Sequence, residues 1–86
     1  MYRVYLERAA EKDLKQLPPK LHDRVIAAIR SLARNPRPVG CRKLTGSGTD
    51  WRIRVGDYRI IYEIGEGAAI QVVRVNRVRH RREVYR

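Results

Sequence analysis

Two clusters of arginine carry the chemistry this chain can offer. The first lies in WRIRVGDYRIIY, residues 51–62, which holds Arg52, Arg54 and Arg59. The second lies in RVNRVRHRREVYR, residues 74–86, which adds Arg77, Arg79, Arg81 and Arg82, with His80 and Tyr85 among them. A guanidinium is a planar fork of donors that matches phosphate, and it keeps its charge in proteins. Histidine can carry a proton near neutral pH. A tyrosine among arginines can stack on a base or have its phenol pKa lowered. These residue types point to a polyanion as the partner.

The charge of the whole chain agrees. Twenty Lys and Arg stand against nine Asp and Glu, giving +11 over 86 residues. Such an excess favours nucleic acid, an anionic membrane surface or an acidic protein. It is unevenly placed: residues 74–86 hold six arginines and one acid, Glu83, and after Lys43 arginine replaces lysine altogether. A solvated basic surface would need no such concentration.

Other chemistries are excluded by what is missing from the sequence. No cluster of carboxylates or histidines has the spacing of a zinc or magnesium site, so no metal or other cofactor is expected. TGSGTD lacks the lysine followed by serine or threonine of a phosphate-binding loop and reads as a turn. Cys41 is the single cysteine, which rules out an intrachain disulfide, and cytoplasmic life is the simplest fit. The N-terminus has no apolar core of signal-peptide length, and no stretch is long enough to span a membrane. If this protein breaks RNA, the expected route is attack by a 2′-hydroxyl on its neighbouring phosphate. Arginines would hold the charge that develops there, and a proton-transfer residue would serve the leaving group.

One domain must position these residues. Tyr2, Val4 and Leu6 alternate with Arg3 and Tyr5, the pattern of a short half-buried strand. From Glu7 the period turns helical, with Ala10, Leu14 and Leu17 on one face, until Pro18-Pro19. Pro19 can open a second helix, whose stripe is Leu21, Val25, Ala28, Ile29 and Leu32. Asn35-Pro36 stops it, and the short link predicts an antiparallel helical hairpin. His22 reads as a helix-surface residue. Residues 35–50 read as loop, with a brief strand possible at Arg42–Leu44. Three strands follow, at Trp51–Val55, Tyr58–Ile64 and Ala68–Val75, joined by Gly56-Asp57 and Gly65-Glu66-Gly67. The order β-α-α-β-β-β predicts an α+β fold, with the helices on one face of a largely antiparallel sheet. Residues 76–86 read as a charged tail that Val78, Val84 and Tyr85 could dock.

With Gly56-Asp57 as a two-residue loop, the hairpin register follows. Val55 opposes Tyr58, Arg54 opposes Arg59, Ile53 opposes Ile60, Arg52 opposes Ile61 and Trp51 opposes Tyr62. Trp51, Ile53, Val55, Tyr58, Ile60, Tyr62 and Ile64 then share the helix-facing side. Arg52, Arg54, Arg59, Ile61 and Glu63 take the other side, off the core. Like charges directly opposite destabilise a sheet, and Glu63 alone cannot relieve three arginines. A local rule broken without structural gain marks a place where function is expected.

These residues resemble the RelE/ParE superfamily of toxins from toxin–antitoxin pairs. The resemblance spans nearly the whole chain and is most specific in KLTGSGTDWRIRVGDYRIIYEI and HRREVYR. It implies a single RelE-like domain over residues 1–86 with the fold deduced above. For the RelE branch it implies a metal-independent endoribonuclease that cuts mRNA on the ribosome and is silenced by a small acidic, RelB-like antitoxin. Carried over by position, the paired basic residues of the first hairpin strand fall on Arg52 and Arg54, and the second-strand arginine on Arg59. The C-terminal basic position falls on Arg79, with Arg81 as the register alternative, and the near-terminal tyrosine on Tyr85. In RelE-type cutters the first-strand pair can be lysine, one of which is a suggested general base. Here both are arginine, which keeps its proton. Proton transfer then falls to Tyr85 or His80, or catalysis rests on positioning and charge. Arg77 and Arg82 join Arg52 and Arg54 as RNA-binding candidates. Two alternatives stand beside this one: a ParE-like inhibitor of DNA gyrase, which cuts nothing, and a basic RNA-binding module without activity.

Overall fold

The structure, a computed structural model, describes residues 1–46 and 48–84. Its elements are β1 (Arg3–Leu6), α1 (Arg8–Lys15), α2 (Pro19–Ser31), β2 (Arg42–Lys43), β3 (Asp50–Val55), β4 (Tyr58–Glu66), β5 (Gln71–His80) and α3 (Arg81–Val84). The strands form one sheet in the order β1-β5-β4-β3-β2. β1 runs parallel to β5, and every other pairing is antiparallel. The α+β class and the helix-on-sheet arrangement are as the sequence predicts.

Hydrophobic burial explains why the helices lie where they do. Ala10 and Leu14 of α1, and Val25, Ile29 and Leu32 along and just beyond α2, are buried. They meet Ile53, Val55, Ile60, Tyr62, Val73, Val75 and Val78 from the sheet. Fully burying side chains of this size contributes about 1.5–3 kcal/mol each. Pro19 occupies the first turn of α2, where its missing N–H costs nothing. α1 packs against β5, and α2 reaches β3.

The β3–β4 register is the one the two-residue turn dictates, from Val55 opposite Tyr58 to Trp51 opposite Tyr62. Gly56 takes φ +58°, a left-handed backbone that a side chain would strain.

Three departures lie beyond that hairpin. Ala68–Ile70 are not strand: the Gly67 N–H donates to the Ile70 carbonyl at 2.9 Å, closing a turn, and β5 starts at Gln71. β5 then continues through Asn76–His80, which the sequence presents as tail. Its register against β4 shifts between Ile61 and Tyr62, so that Tyr62 faces Val75 while Ile61 faces Arg77. Asn76 is the extra residue of a bulge, which resets the alternation and buries Val78 on the core side. A short helix, α3, follows β5, whereas the brief strand read at Arg42–Leu44 is present as the edge strand β2.

Candidate phosphate-binding face

Two rows of residues cross the face of the sheet away from α1 and α2. In one, Arg54 on β3 opposes Arg59 on β4, and Arg59 opposes Arg79 on β5. In the other, Arg42 on β2 opposes Arg52 on β3, which opposes Ile61 on β4. Directly opposed residues share a face, so Arg42, Arg52, Arg54, Arg59 and Arg79 stand together. Strands lie about 4.8 Å apart, so the three-arginine row spans about 10 Å.

Arg42, Arg52, Arg54 and Arg59 line a cleft of about 530 Å³ with Pro38, Val39, Gly40 and Ile53. No acid lines it. The chain entering the wall at residues 38–40 is tied down at Pro36 and Arg37. The buried Tyr62 hydroxyl donates to the Pro36 carbonyl at 2.6 Å. Burial, together with the Cys41 thiol beside it, pushes the Tyr62 phenol well above its usual range. Arg37 lies over the Trp51 ring at 5.2 Å and pairs with Glu66 at 2.5 Å. Glu66 also accepts from the Tyr2 hydroxyl at 2.8 Å, and the Arg37 contact foremost holds its carboxyl below the usual range.

The side chains of the rows differ in exposure. Arg42 and Arg54 are exposed, and Arg52 and Arg79 are half-buried. Arg59 is 3% exposed, the one buried charged or polar residue among those described. The sequence places it off the core, which is correct for its face but not for its exposure. β4 is the middle strand, so Arg59 has a long side chain on either flank, Arg54 on one side and Arg79 on the other. Glu63 is an acid of that face, as is Asp50 directly opposite it on β3; Glu63 also opposes Arg74 and accepts from the Asn76 amide at 2.9 Å. It thus sits at the far end from the cleft.

Other candidates fall elsewhere. Arg77 is beside the bulge and turns to α1, where its Nε donates to Asp13 at 2.9 Å and its Nη2 at 3.1 Å. The same carboxylate accepts from the Val78 N–H at 2.9 Å. Partial burial opposes ionisation of Asp13, but Arg77 and the Val78 N–H outweigh it and hold the pKa below its ordinary value. His80 opposes Tyr58, and their rings meet edge to face with centroids 5.3 Å apart. Arg81 and Arg82 open α3, with the Arg81 N–H donating to the Asp57 carbonyl at 2.8 Å. Tyr85 lies outside the described residues. Among the described residues no group of three His, Cys, Asp or Glu is placed to hold a metal, and no helix is long and apolar enough to cross a membrane.

Arg42 is the member of the face that the hairpin arithmetic misses. Its signal is faint: a two-residue strand brings it into line with Arg52.

Fold and face together define a small basic α+β domain that presents arginines from one side of its sheet. A family model described as "ParE toxin of type II toxin-antitoxin system, parDE" matches residues 4–85. The chain is 35% identical over 90 residues to toxin RelG of Mycobacterium tuberculosis, covering 99% of this chain and 97% of that one. The archaeal RelE–RelB complex from Pyrococcus horikoshii holds a chain of the same fold, with a TM-score of 0.77 and 29% identity. That match covers 93% of this chain and 94% of the other. A chain of the RelBE2 toxin–antitoxin complex of M. tuberculosis matches with a TM-score of 0.77 and 28% identity, covering 92% and 96%. The protein belongs to the RelE/ParE family of toxins of type II toxin–antitoxin systems.

Proposed function

We propose that this protein is a ribosome-dependent mRNA endonuclease that inhibits translation, acting in the cytoplasm with no metal in its chemistry. The observation that carries this reading is the acid-free cleft of Arg42, Arg52, Arg54 and Arg59, with Arg79 in line beside it. Arg42, Arg52 and Arg54 grip the RNA backbone. Arg59 and Arg79 face the phosphate under attack, where preorganised donors are most effective against developing charge. Arg81 and Arg82, at the start of α3, extend the basic surface along the strand. The attacking 2′-hydroxyl loses its proton and bonds to phosphorus, the bond to the 5′-oxygen breaks, and that oxygen takes up a proton. The products are a 2′,3′-cyclic phosphate and a 5′-hydroxyl end. Arginine cannot move these protons, so transfer falls to Tyr85 or His80.

The partner follows from charge and from the relatives. A protein at +11 is complementary to an acidic binder, and the archaeal and mycobacterial structures are complexes of a toxin with its antitoxin. A small acidic, RelB-like antitoxin covering the basic face is therefore the silencing partner in a toxin–antitoxin hetero-oligomer.

The test is expression in a translating extract with mapping of mRNA ends. Cuts within the ribosomal A site, absent when ribosomes are omitted, are expected. Intact messages would sink the reading. The second reading, gyrase inhibition, belongs to the ParE branch of the family. It requires cleaved DNA to accumulate with gyrase while mRNA stays whole.

A further inference from the structure

Part of the arginine cleft is apolar. Pro38 and Val39 line it together with Arg42, Arg52, Arg54 and Arg59. The Cys41 N–H donates to the Pro38 carbonyl at 3.0 Å, closing a turn over residues 38–41. Gly40 takes φ +92°, and among the described residues only glycines have a positive φ. A left-handed residue at the third position alone is the mark of a type II turn, which puts Val39 at the corner before it. Val39 is fully exposed. Turn corners favour proline, glycine and short polar residues. A β-branched apolar side chain held in water at this corner contributes no burial to the fold.

The turn is nevertheless firmly held. Pro36 and Pro38 fix φ on the approach to it. The Asn35 Oδ1 accepts from the Arg37 N–H at 3.1 Å. Tyr62 holds the Pro36 carbonyl, and Glu66 and Trp51 hold the Arg37 side chain. Past the turn, Arg42 joins the sheet opposite Arg52. A wall fixed in advance loses little freedom when a ligand arrives, which favours binding. The cleft, at about 530 Å³, has the size of a small-molecule site. A phosphate alone would meet the guanidinium groups and leave the valine in water.

We propose that Val39 is a nucleobase contact: one nucleotide of a single-stranded RNA lies in the cleft, its phosphate on Arg52 and Arg54 and its base against the Val39 corner. This deepens the reading of the site given above, which supplies RNA as the ligand of an acid-free cationic cleft. The Pro38 and Val39 side chains carry no donor or acceptor. Their contact is therefore with the face of a base, which every base offers, and it holds the strand without reading its sequence.

The experiment compares wild type, Val39→Ser and Val39→Phe in the full chain. Val39 is exposed, so both variants are expected to fold. Fluorescence anisotropy measures binding of two probes, a short unstructured RNA and an abasic ribose-phosphate chain of the same length. Wild type is expected to bind the RNA about five-fold more tightly, on the scale of one methylene group removed from water. Val39→Ser is expected to abolish that difference by weakening the RNA alone. Val39→Phe is expected to widen it, because an aromatic ring stacks on a base. Affinity for the abasic chain, and its salt slope, should stay unchanged in both variants, since the phosphate contacts are intact. Equal loss of RNA and abasic binding in Val39→Ser would overturn the proposal, because the turn would then act through the arginines. Unchanged RNA affinity in both variants would also overturn it and leave the corner to a protein partner. If wild type leaves mRNA intact in a translating extract while Val39→Ser still loses only the base-dependent binding, the base contact stands and the nuclease reading fails.

Discussion

Arg54 and Arg59 face each other across β3 and β4 in a register that cannot slip without exposing Ile53 and Ile60. Like charges so placed oppose folding. Replacing Arg54, which is exposed, with threonine removes the repulsion and supplies a residue suited to strands. Arg54→Thr is expected to raise stability by about 0.2–1 kcal/mol in urea unfolding. Its kcat/KM for mRNA cutting is expected to fall about 10- to 100-fold, the worth of one charge-assisted hydrogen bond. Opposite signs in the two measurements would mark the pair as held for function, and a loss in both would not. Arg59 needs a different substitution. It is buried, so alanine would confound a cavity with a lost donor, whereas Arg59→Lys keeps the charge and gives up only the fork. At Tyr85 the informative change is phenylalanine, which can still stack on a base. General acid–base catalysis contributes about 10²–10⁴-fold, so Tyr85→Phe is expected to slow single-turnover cutting by at least about 10²-fold. Full activity in Tyr85→Phe would reduce the tyrosine to a stacking platform.

At the scale of elements, the bulge in β5 decides most of what surrounds the site. It turns Arg77 to Asp13 on α1 and puts Arg79 in line with Arg59. The Asp13 carboxylate holds the two residues that follow the bulge, through the Arg77 guanidinium and the Val78 N–H. Asp13→Ala is expected to cost about 1.5–3 kcal/mol in urea unfolding, the range for hydrogen bonds to a charged group. Because its native pKa is lowered, Asp13 stabilises the fold fully above its unfolded pKa of about 4, and that contribution fades as pH falls through the lowered native value. Asp13→Asn can still accept from Val78, so its stability deficit against wild type should be constant near neutrality and shrink below about pH 4. A deficit that grows in acid would contradict the pairing.

The bulge also explains which parts of the fold were legible in the sequence. The β3–β4 register from Val55–Tyr58 to Trp51–Tyr62 could be read because Gly56-Asp57 permits one tight turn and the alternation on both sides agrees with it, although the strands extend further, to Asp50 and Glu66. The helices were legible from Leu14 and from Val25, Ile29 and Leu32, which recur at helical spacing. β5 could be followed only to Val75. Val73 and Val75 keep a period of two, but Asn76 breaks it, and Val78 falls out of phase although it lines the same core. The arginines after it then looked like solvated tail. Arg42 was hidden for the opposite reason: two residues are too few to show any period, and only pairing with β3 places them.

Across the whole molecule, the excess of +11 is a field as well as a set of contacts, and the two can be told apart. A field of diffuse charge weakens when any exposed cation is removed, wherever it lies. A grip weakens only where phosphates sit, because each neutralised phosphate releases counterions, and the salt slope counts them. For single-stranded RNA the slope of log K against log salt is about −0.7 for each contact, so five arginines in register predict a slope of about −3.5. Arg42 is the most discriminating member to remove, since it is exposed and joins the face only through the edge strand β2. Arg42→Ala is expected to bring the slope to about −2.8 in fluorescence anisotropy with a short unstructured RNA. Arg30→Ala, on the exposed side of α2 and across the sheet from the cleft, should leave the slope unchanged. Equal effects of the two substitutions would mean that RNA senses only the net charge, and the two rows of arginine would then need another explanation. A slope that responds to Arg42 and not to Arg30 would instead locate the phosphates on one face of the sheet, where the strand pairing gathers the guanidinium groups.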